Sequence, residues 1–214
     1  MLIIFDLDDT LIDTSGCVTP FKLQSAFKIL MGRDPSSSEF KELLALNETC
    51  PRTRDTIELF AAKWGISQEA TFQALQEMTT PLPNDFLISC TPNAKEILQS
   101  CKNRGPIALV TGGHPPFQRE KMEKAGIEPS ICSKIAIPED SIKKPFYEGL
   151  MKEFSVAPAD IWVCGDRVSM DLSPAHELGF HTIHMRWGRG RRIKTESWID
   201  HSISDLNELR KIIP

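Results

Sequence analysis

Short runs of four apolar residues recur along the chain and each ends in a polar turn: Leu2–Phe5, Ile107–Val110 and residues 161–164. Runs this short, apolar at every position, predict strands buried on both faces of a parallel sheet. Residues 133–137 and 182–185 predict two further strands. Between them the apolar positions space as in helices over 92–104, 117–125 (stopped by Gly126), 147–154 and 173–178 (ended by Gly179). Strands alternating with helices of this length form β-α-β units, so the expected fold class is α/β, a Rossmann-like parallel sheet core with helices on both faces.

Residues 20 to about 80 follow another rule. Strand character disappears and helical spacing takes over. Phe21, Leu23, Phe27, Leu30 and Met31 mark one helix, and Arg33 to Ser38 breaks it while offering caps to a second around 40–46. Residues 55–64, ended at Gly65, and 68–78, ended before Pro81 and Pro83, predict two more. The expected organisation is therefore a core of residues 1–13 and 91–214 with an α-helical cap inserted over 14–90. No internal repeat or low-complexity tract interrupts either part.

Composition adds little and excludes some classes. The 214 residues are 41% hydrophobic and 25% charged with a net charge of -4. Those values suit a globular enzyme and argue against a globally basic nucleic-acid binder. The six cysteines are scattered without a C-x-x-C pair, and are expected to be reduced thiols. No run approaches the ~20 apolar residues of a membrane span and no signal-like stretch precedes the first strand, so a cytoplasmic location without membrane partners is expected.

The chemistry gathers where strands end. Asp6 and Asp8 follow the first strand directly, two residues apart, and can lean toward one bound group. Two carboxylates that close repel, so either one takes up a proton or a cation sits between them. Thr111-Gly112-Gly113 follows the strand at 107–110, and a hydroxyl followed by glycines suits phosphate oxygens. Lys143-Lys144-Pro145 offers an ammonium at a helix start. Gly165-Asp166, with Asp171 beyond, adds carboxylates for a hard cation.

These four clusters, in this order, resemble the four motifs of the haloacid dehalogenase superfamily of phosphohydrolases. The carrying residues are Asp6-Leu7-Asp8-Asp9-Thr10-Leu11, Thr111, Lys144 and Gly165-Asp166 with Asp171. Gln118, Lys121, Gly126 and Ile127 are similar to the family's segment after its second motif. The helical insert resembles the first cap type, C1, of subfamily I.

The resemblance implies a role for each position. Asp6 is the expected nucleophile, forming an aspartyl-phosphate, and Asp8 the expected acid and base. Mg2+ is the expected cofactor, held by Asp6, the main-chain carbonyl of Asp8, and Asp166, with Asp171 orienting the metal's waters. Thr111, Gly112 and Lys144 are expected to bind the phosphoryl oxygens. Asp8 also separates the branches of the family, because the dehalogenases lack an aspartate there. A phosphatase acting on a small phosphorylated metabolite is the expected function. A phosphotransferase or phosphomutase on the same residues, and a non-catalytic regulatory protein on this scaffold, are the alternatives.

Other residues carry weaker expectations. Lys143, rather than Lys144, is an alternative working lysine. Asp9 and Asp13 are expected to be structural. His114 is expected at the surface, and His181 and His184, three apart on a strand, face opposite ways. The basic run from Arg186 to Lys194 is expected to be a solvated loop, with a subunit contact, a substrate-facing anion site or nucleic acid as alternatives, and Arg52 and Arg54 either a solvated helix start or a contact to a leaving group.

Overall fold

The computed structural model describes residues 1–214. The chain forms two compact units, Met1–Thr14 with Pro83–Pro214, and Ser15–Leu82.

The first unit is built on six parallel strands: β1 (Leu2–Phe5), β2 (Ile107–Val110), β3 (Lys134–Ala136), β4 (Ile161–Gly165), β5 (His181–Met185) and β6 (His201–Ile203), in the order β3-β2-β1-β4-β5-β6. The chain steps outward from β1 in one direction and then, from β4, in the other. That reversal leaves a crevice beyond the carboxyl ends of β1 and its neighbours, where open α/β sheets bind ligands. β1 is central, pairing Ile3 with Ile107 and Trp162, and Phe5 with Leu109 and Cys164. Its four side chains are fully buried or nearly so, which accounts for a run with no polar alternation. Leu2, Ile4, Val110 and Val163 pack with Tyr147, Leu172 and Phe180 into one apolar cluster on a face of the sheet.

Residues 83–90 join this unit rather than the helical insert. The Asp13 N–H donates to Ser89 O at 2.8 Å, Ile12 and Cys90 form an antiparallel bridge, and Lys124 Nζ donates to Pro83 O at 2.7 Å. Their backbone partners therefore lie in the sheet unit. All six cysteines are free. No helix is long and apolar enough to cross a membrane.

The second unit is four helices, α1 (Val18–Met31), α2 (Ser37–Thr49), α3 (Thr53–Lys63) and α4 (Gln68–Glu77), whereas α5 (Ala94–Lys102), α6 (Pro115–Lys124) and α7 (Lys144–Glu153) belong to the first. Leu23, Phe27, Leu43, Ile57, Phe60 and Ala74 form its core. The break at Arg33 to Ser38 does what its residues favour. Gly32 ends α1 at φ +67°, and Ser36 with Glu39 forms a reciprocal capping box at the start of α2. Lys22 is almost fully buried here, its Nζ 2.7 Å from both Thr80 O and Thr80 Oγ1, so the ammonium satisfies groups just beyond the end of α4.

β6 departs from expectation. It is a three-residue edge strand, His201-Ser202-Ile203, paired only to β5. An edge strand needs only one apolar side chain facing the core, so it carries no run to be recognised.

Candidate active site

The loop after β1 is tight. Leu7 O accepts from the N–H groups of Thr10, Leu11 and Ile12, at 3.3, 2.9 and 3.1 Å, and the Asp9 N–H donates to Ile12 O at 2.8 Å. Asp9 takes φ +55°, a left-handed conformation that aspartate tolerates better than most residues and glycine tolerates best. The turn brings Asp6 and Asp8 to the same crevice, shared with Thr111, Gly112, Lys143 and Asp166.

Asp6 is buried, and its Oδ1 accepts from Lys143 Nζ at 2.6 Å. The same ammonium reaches Asp171 Oδ1 at 2.5 Å. Carboxylate oxygens of Asp6, Asp166 and Asp171 lie within 4.8 Å of one another, all three buried. Three buried acids around one lysine leave an excess of negative charge. Burial pushes the Asp6 carboxyl up to about 7, with repulsion from Asp171 and Asp8 adding to it and Lys143 opposing it. Asp166 is raised well above the usual carboxylate range, by burial first and then by Asp171, Asp9 and Asp6. Despite its own burial, Lys143 is held well above an ordinary lysine by Asp171 and Asp6. A compact, hard-oxygen donor set with surplus negative charge fits a divalent cation such as magnesium.

Within that set Asp171 is already engaged on both oxygens, since Oδ2 accepts from the Arg167 N–H at 2.9 Å while Oδ1 holds Lys143. It is placed by a π-helical turn over Val168–Leu172, directly after β4. A Cβ on Gly165 would meet Asp171 Oδ2 at 2.5 Å, so the glycine is required for the carboxylate to pack here. Asp171 thus suits indirect support of a metal.

Of the two adjacent lysines, the structure brings Lys143 to the crevice and leaves Lys144, the expected one, outside it. Lys144 is the first residue of α7 (Lys144–Glu153); its side chain is 40% exposed and its Nζ pairs with Glu177 at 2.7 Å. Lys143, one residue earlier, points inward with its side chain 2% exposed. Adjacent residues at a helix start are turned roughly 100° apart, so only one of the two can face the crevice. Gly112 approaches closely on the other side, where a Cβ would come 2.5 Å from Ser141 Oγ.

Asp8 is gripped from a third direction. α6 (Pro115–Lys124) carries Gln118 and Lys121, both buried. Lys121 Nζ lies 2.5 and 2.7 Å from the two oxygens of Asp8, Gln118 Nε2 donates to Oδ2 at 2.9 Å, and the Thr14 hydroxyl donates to Oδ1. Burial works to raise this carboxyl, but Lys121, Thr14 and Gln118 outweigh it and hold Asp8 below its ordinary range. In sequence, Gln118 and Lys121 stand out only as part of a motif. Two long polar side chains three apart, on the helix face that also buries Phe117 and Met122, were the available signal.

Other expectations resolve individually. Arg52 and Arg54 pair along their own helix with Asp55 and Glu58, each at 2.9 Å, as a solvated helix start would. His114 is exposed. His181 stacks on Trp162 with ring centroids 4.0 Å apart. His184 is fully buried, and the main chain of Asp166 lies beside it off hydrogen-bond geometry, so burial holds the imidazole below its usual pKa.

The basic run is not a wholly solvated loop, although Arg186, Arg191 and Arg192 are exposed. The segment is pinned: the Trp187 indole Nε1 donates to Asp13 Oδ1 at 2.9 Å, Gly188 at φ +47° lies against the Asp9 carboxylate, and a Cβ on Gly190 would meet Met185 O at 2.6 Å. Asp13 thus serves as the side-chain acceptor for this segment. The two glycines let the segment close against the strand ends that carry Asp9 and Asp166.

The chain is similar to several known proteins. A glyceraldehyde 3-phosphate phosphatase from Pyrococcus furiosus is 22% identical over 99% of this chain and 92% of its own length. One from Methanocaldococcus jannaschii is 29% identical over 57% of the chain and 55% of its own length, so this match spans about half of that relative. Among solved structures, a Bacillus subtilis protein described as a HAD-hydrolase and bound to magnesium superposes with a TM-score of 0.76, at 14% identity over 99% of this chain and 97% of that one. That similarity is one of fold. The model of the haloacid dehalogenase-like hydrolases matches residues 1–179, and the chain belongs to that family.

Proposed function

We propose that the protein is a magnesium-dependent phosphatase that hydrolyses a phosphomonoester of a small metabolite through an aspartyl-phosphate on Asp6. The observation that carries this reading is the pairing of roles on one tight loop. Asp6 lies buried among Lys143, Asp166 and Asp171, and Asp8, two residues on, faces the same crevice from outside that cluster. A nucleophile and a separate proton carrier are what transfer from an ester to water needs, and the second is superfluous for expelling halide.

An Asp6 oxygen attacks phosphorus as the bond to the ester oxygen breaks, and the proton on Asp8 passes to that leaving oxygen. Asp8 then takes a proton from water, the water oxygen attacks phosphorus, and the bond to Asp6 breaks to release inorganic phosphate. Lys121 favours the ionised Asp8 that the second step uses. An incoming phosphate dianion opposes Lys121 and favours the protonated form that the first step uses. Thr111, Gly112 and Lys143 face the position of the transferring oxygens and stabilise charge there. Magnesium, held by Asp6, the Asp8 carbonyl and Asp166, would supply the positive charge that lets one anion approach another.

Incubating the protein with a panel of small phosphate esters tests this. Free phosphate is expected with magnesium and without any acceptor other than water, which also separates hydrolysis from phosphotransfer. The names of the relatives make three-carbon phosphates the first members to try. Chelation is expected to abolish release and added magnesium to restore it. Magnesium should also raise the melting temperature, since at about 100 times its Kd a ligand adds about 2.7 kcal/mol. Undiminished turnover after chelation would overturn the metal assignment, and a panel without phosphate release would overturn the phosphatase.

A further inference from the structure

Lys121 and Gln118 are spent on Asp8 rather than on solvent. The Lys121 side chain is only 5% exposed, and its ammonium spans both Asp8 oxygens. Gln118, one turn earlier, directs a single amide nitrogen at three acceptors: Asp8 Oδ2 at 2.9 Å, Thr111 Oγ1 at 2.6 Å and Gly112 O at 2.8 Å. Its two hydrogens are shared among three acceptors, which holds the amide nitrogen where these groups converge. A carboxylate on a loop otherwise has several rotamers open to it, and each productive encounter would have to select one.

Building on the assignment of Asp8 as proton carrier, we infer that Lys121 and Gln118 are positioning residues that fix the Asp8 carboxyl relative to Thr111. The proton carrier and the phosphate anchor are thereby set by one helix. α6 starts only a few residues beyond Thr111, so the element that follows the phosphate-binding strand end also holds the acid. The geometry points away from a direct phosphate contact by Lys121, because its ammonium is occupied by Asp8. A misplaced acid harms expulsion of a poor leaving group far more than that of a good one, which leaves without help.

The test compares kcat for p-nitrophenyl phosphate with kcat for glycerol 2-phosphate on the same preparation, so that any unfolded fraction cancels. Lys121→Met is expected to raise the aryl-to-alkyl ratio by about tenfold or more, part of the 10²–10⁴-fold value of proton transfer. Gln118→Met should raise it less, and Lys121→Arg should recover much of the wild-type ratio. KM for either ester and inhibition by inorganic phosphate should stay within about twofold, since no phosphate contact is lost. An unchanged ratio in both Met variants overturns the inference, as does a matched rise in KM and in the inhibition constant, which would make Lys121 a phosphate ligand. Asp8→Ala measured alongside separates the two levels. A raised ratio there with none in Lys121→Met sinks the positioning role alone, whereas an unchanged ratio in Asp8→Ala sinks the proton-carrier assignment and this inference with it.

Discussion

Replacing Lys143 by alanine is expected to lower kcat by about 10²–10³-fold, the usual cost of one preorganised charge-stabilising donor. The same change at Lys144 is expected to leave kcat as it was. The residues are neighbours in sequence and chemically identical, so the contrast isolates geometry. Lys143 Nζ lies 2.6 Å from Asp6 and 2.5 Å from Asp171, whereas Lys144 reaches only Glu177 at the surface. Removing Lys143 also leaves buried carboxylates without their cation, and losing one partner of a buried pair costs about 3–5 kcal/mol. Alongside the loss of rate with magnesium, the metal-free Lys143→Ala protein should therefore melt lower than metal-free wild type, and magnesium should restore part of that stability. Steady-state kinetics and thermal melts on both variants check this. Loss of activity in Lys144→Ala with retention in Lys143→Ala would reverse the assignment.

That contrast also shows where sequence stops informing. β1, β2 and β4 were legible because strands buried on both faces must be apolar at every position, and the ends of those runs fixed the places of Asp6, Thr111 and Asp166. A pair of lysines before Pro145 carries no such constraint. Which of them turns inward depends on the phase at which α7 begins, and Pro145 suits a start at either. β6 escaped because an edge strand has little to bury. The grip on Asp8 escaped for a different reason: Gln118 and Lys121 are 110 and 113 residues away along the chain, and only the sheet order, with β2 beside β1, brings α6 to the loop after β1. The glycines at 188 and 190 read in sequence as part of a solvated basic loop, yet they permit close backbone approach to Asp9 and Met185.

Asp6→Asn is expected to reduce turnover of any ester by on the order of 10⁴-fold or more, because an amide cannot serve as the nucleophile that accepts the phosphoryl group. The amide oxygen can still accept from Lys143, so the fold has no reason to fail. Stability should move the other way. Burial, with Asp171 and Asp8 nearby, raises the Asp6 carboxyl to about 7, above its ordinary value of 3.8. Between those two values the folded protein holds a proton that the unfolded chain has released. Stability of the metal-free wild type therefore falls as pH rises through that window, and the contribution is worst above about 7. Asparagine has no proton to lose at any of these pH values and removes one charge from the cluster. The metal-free variant should thus melt higher than wild type at pH 8, with the gap narrowing toward pH 5, while magnesium stabilises it less. Such a pattern would show that the carboxylate is kept at a cost in stability because the chemistry requires it. Equal melting at every pH would mean that Asp6 is not held under electrostatic strain, and retention of most of the turnover would remove it as the nucleophile.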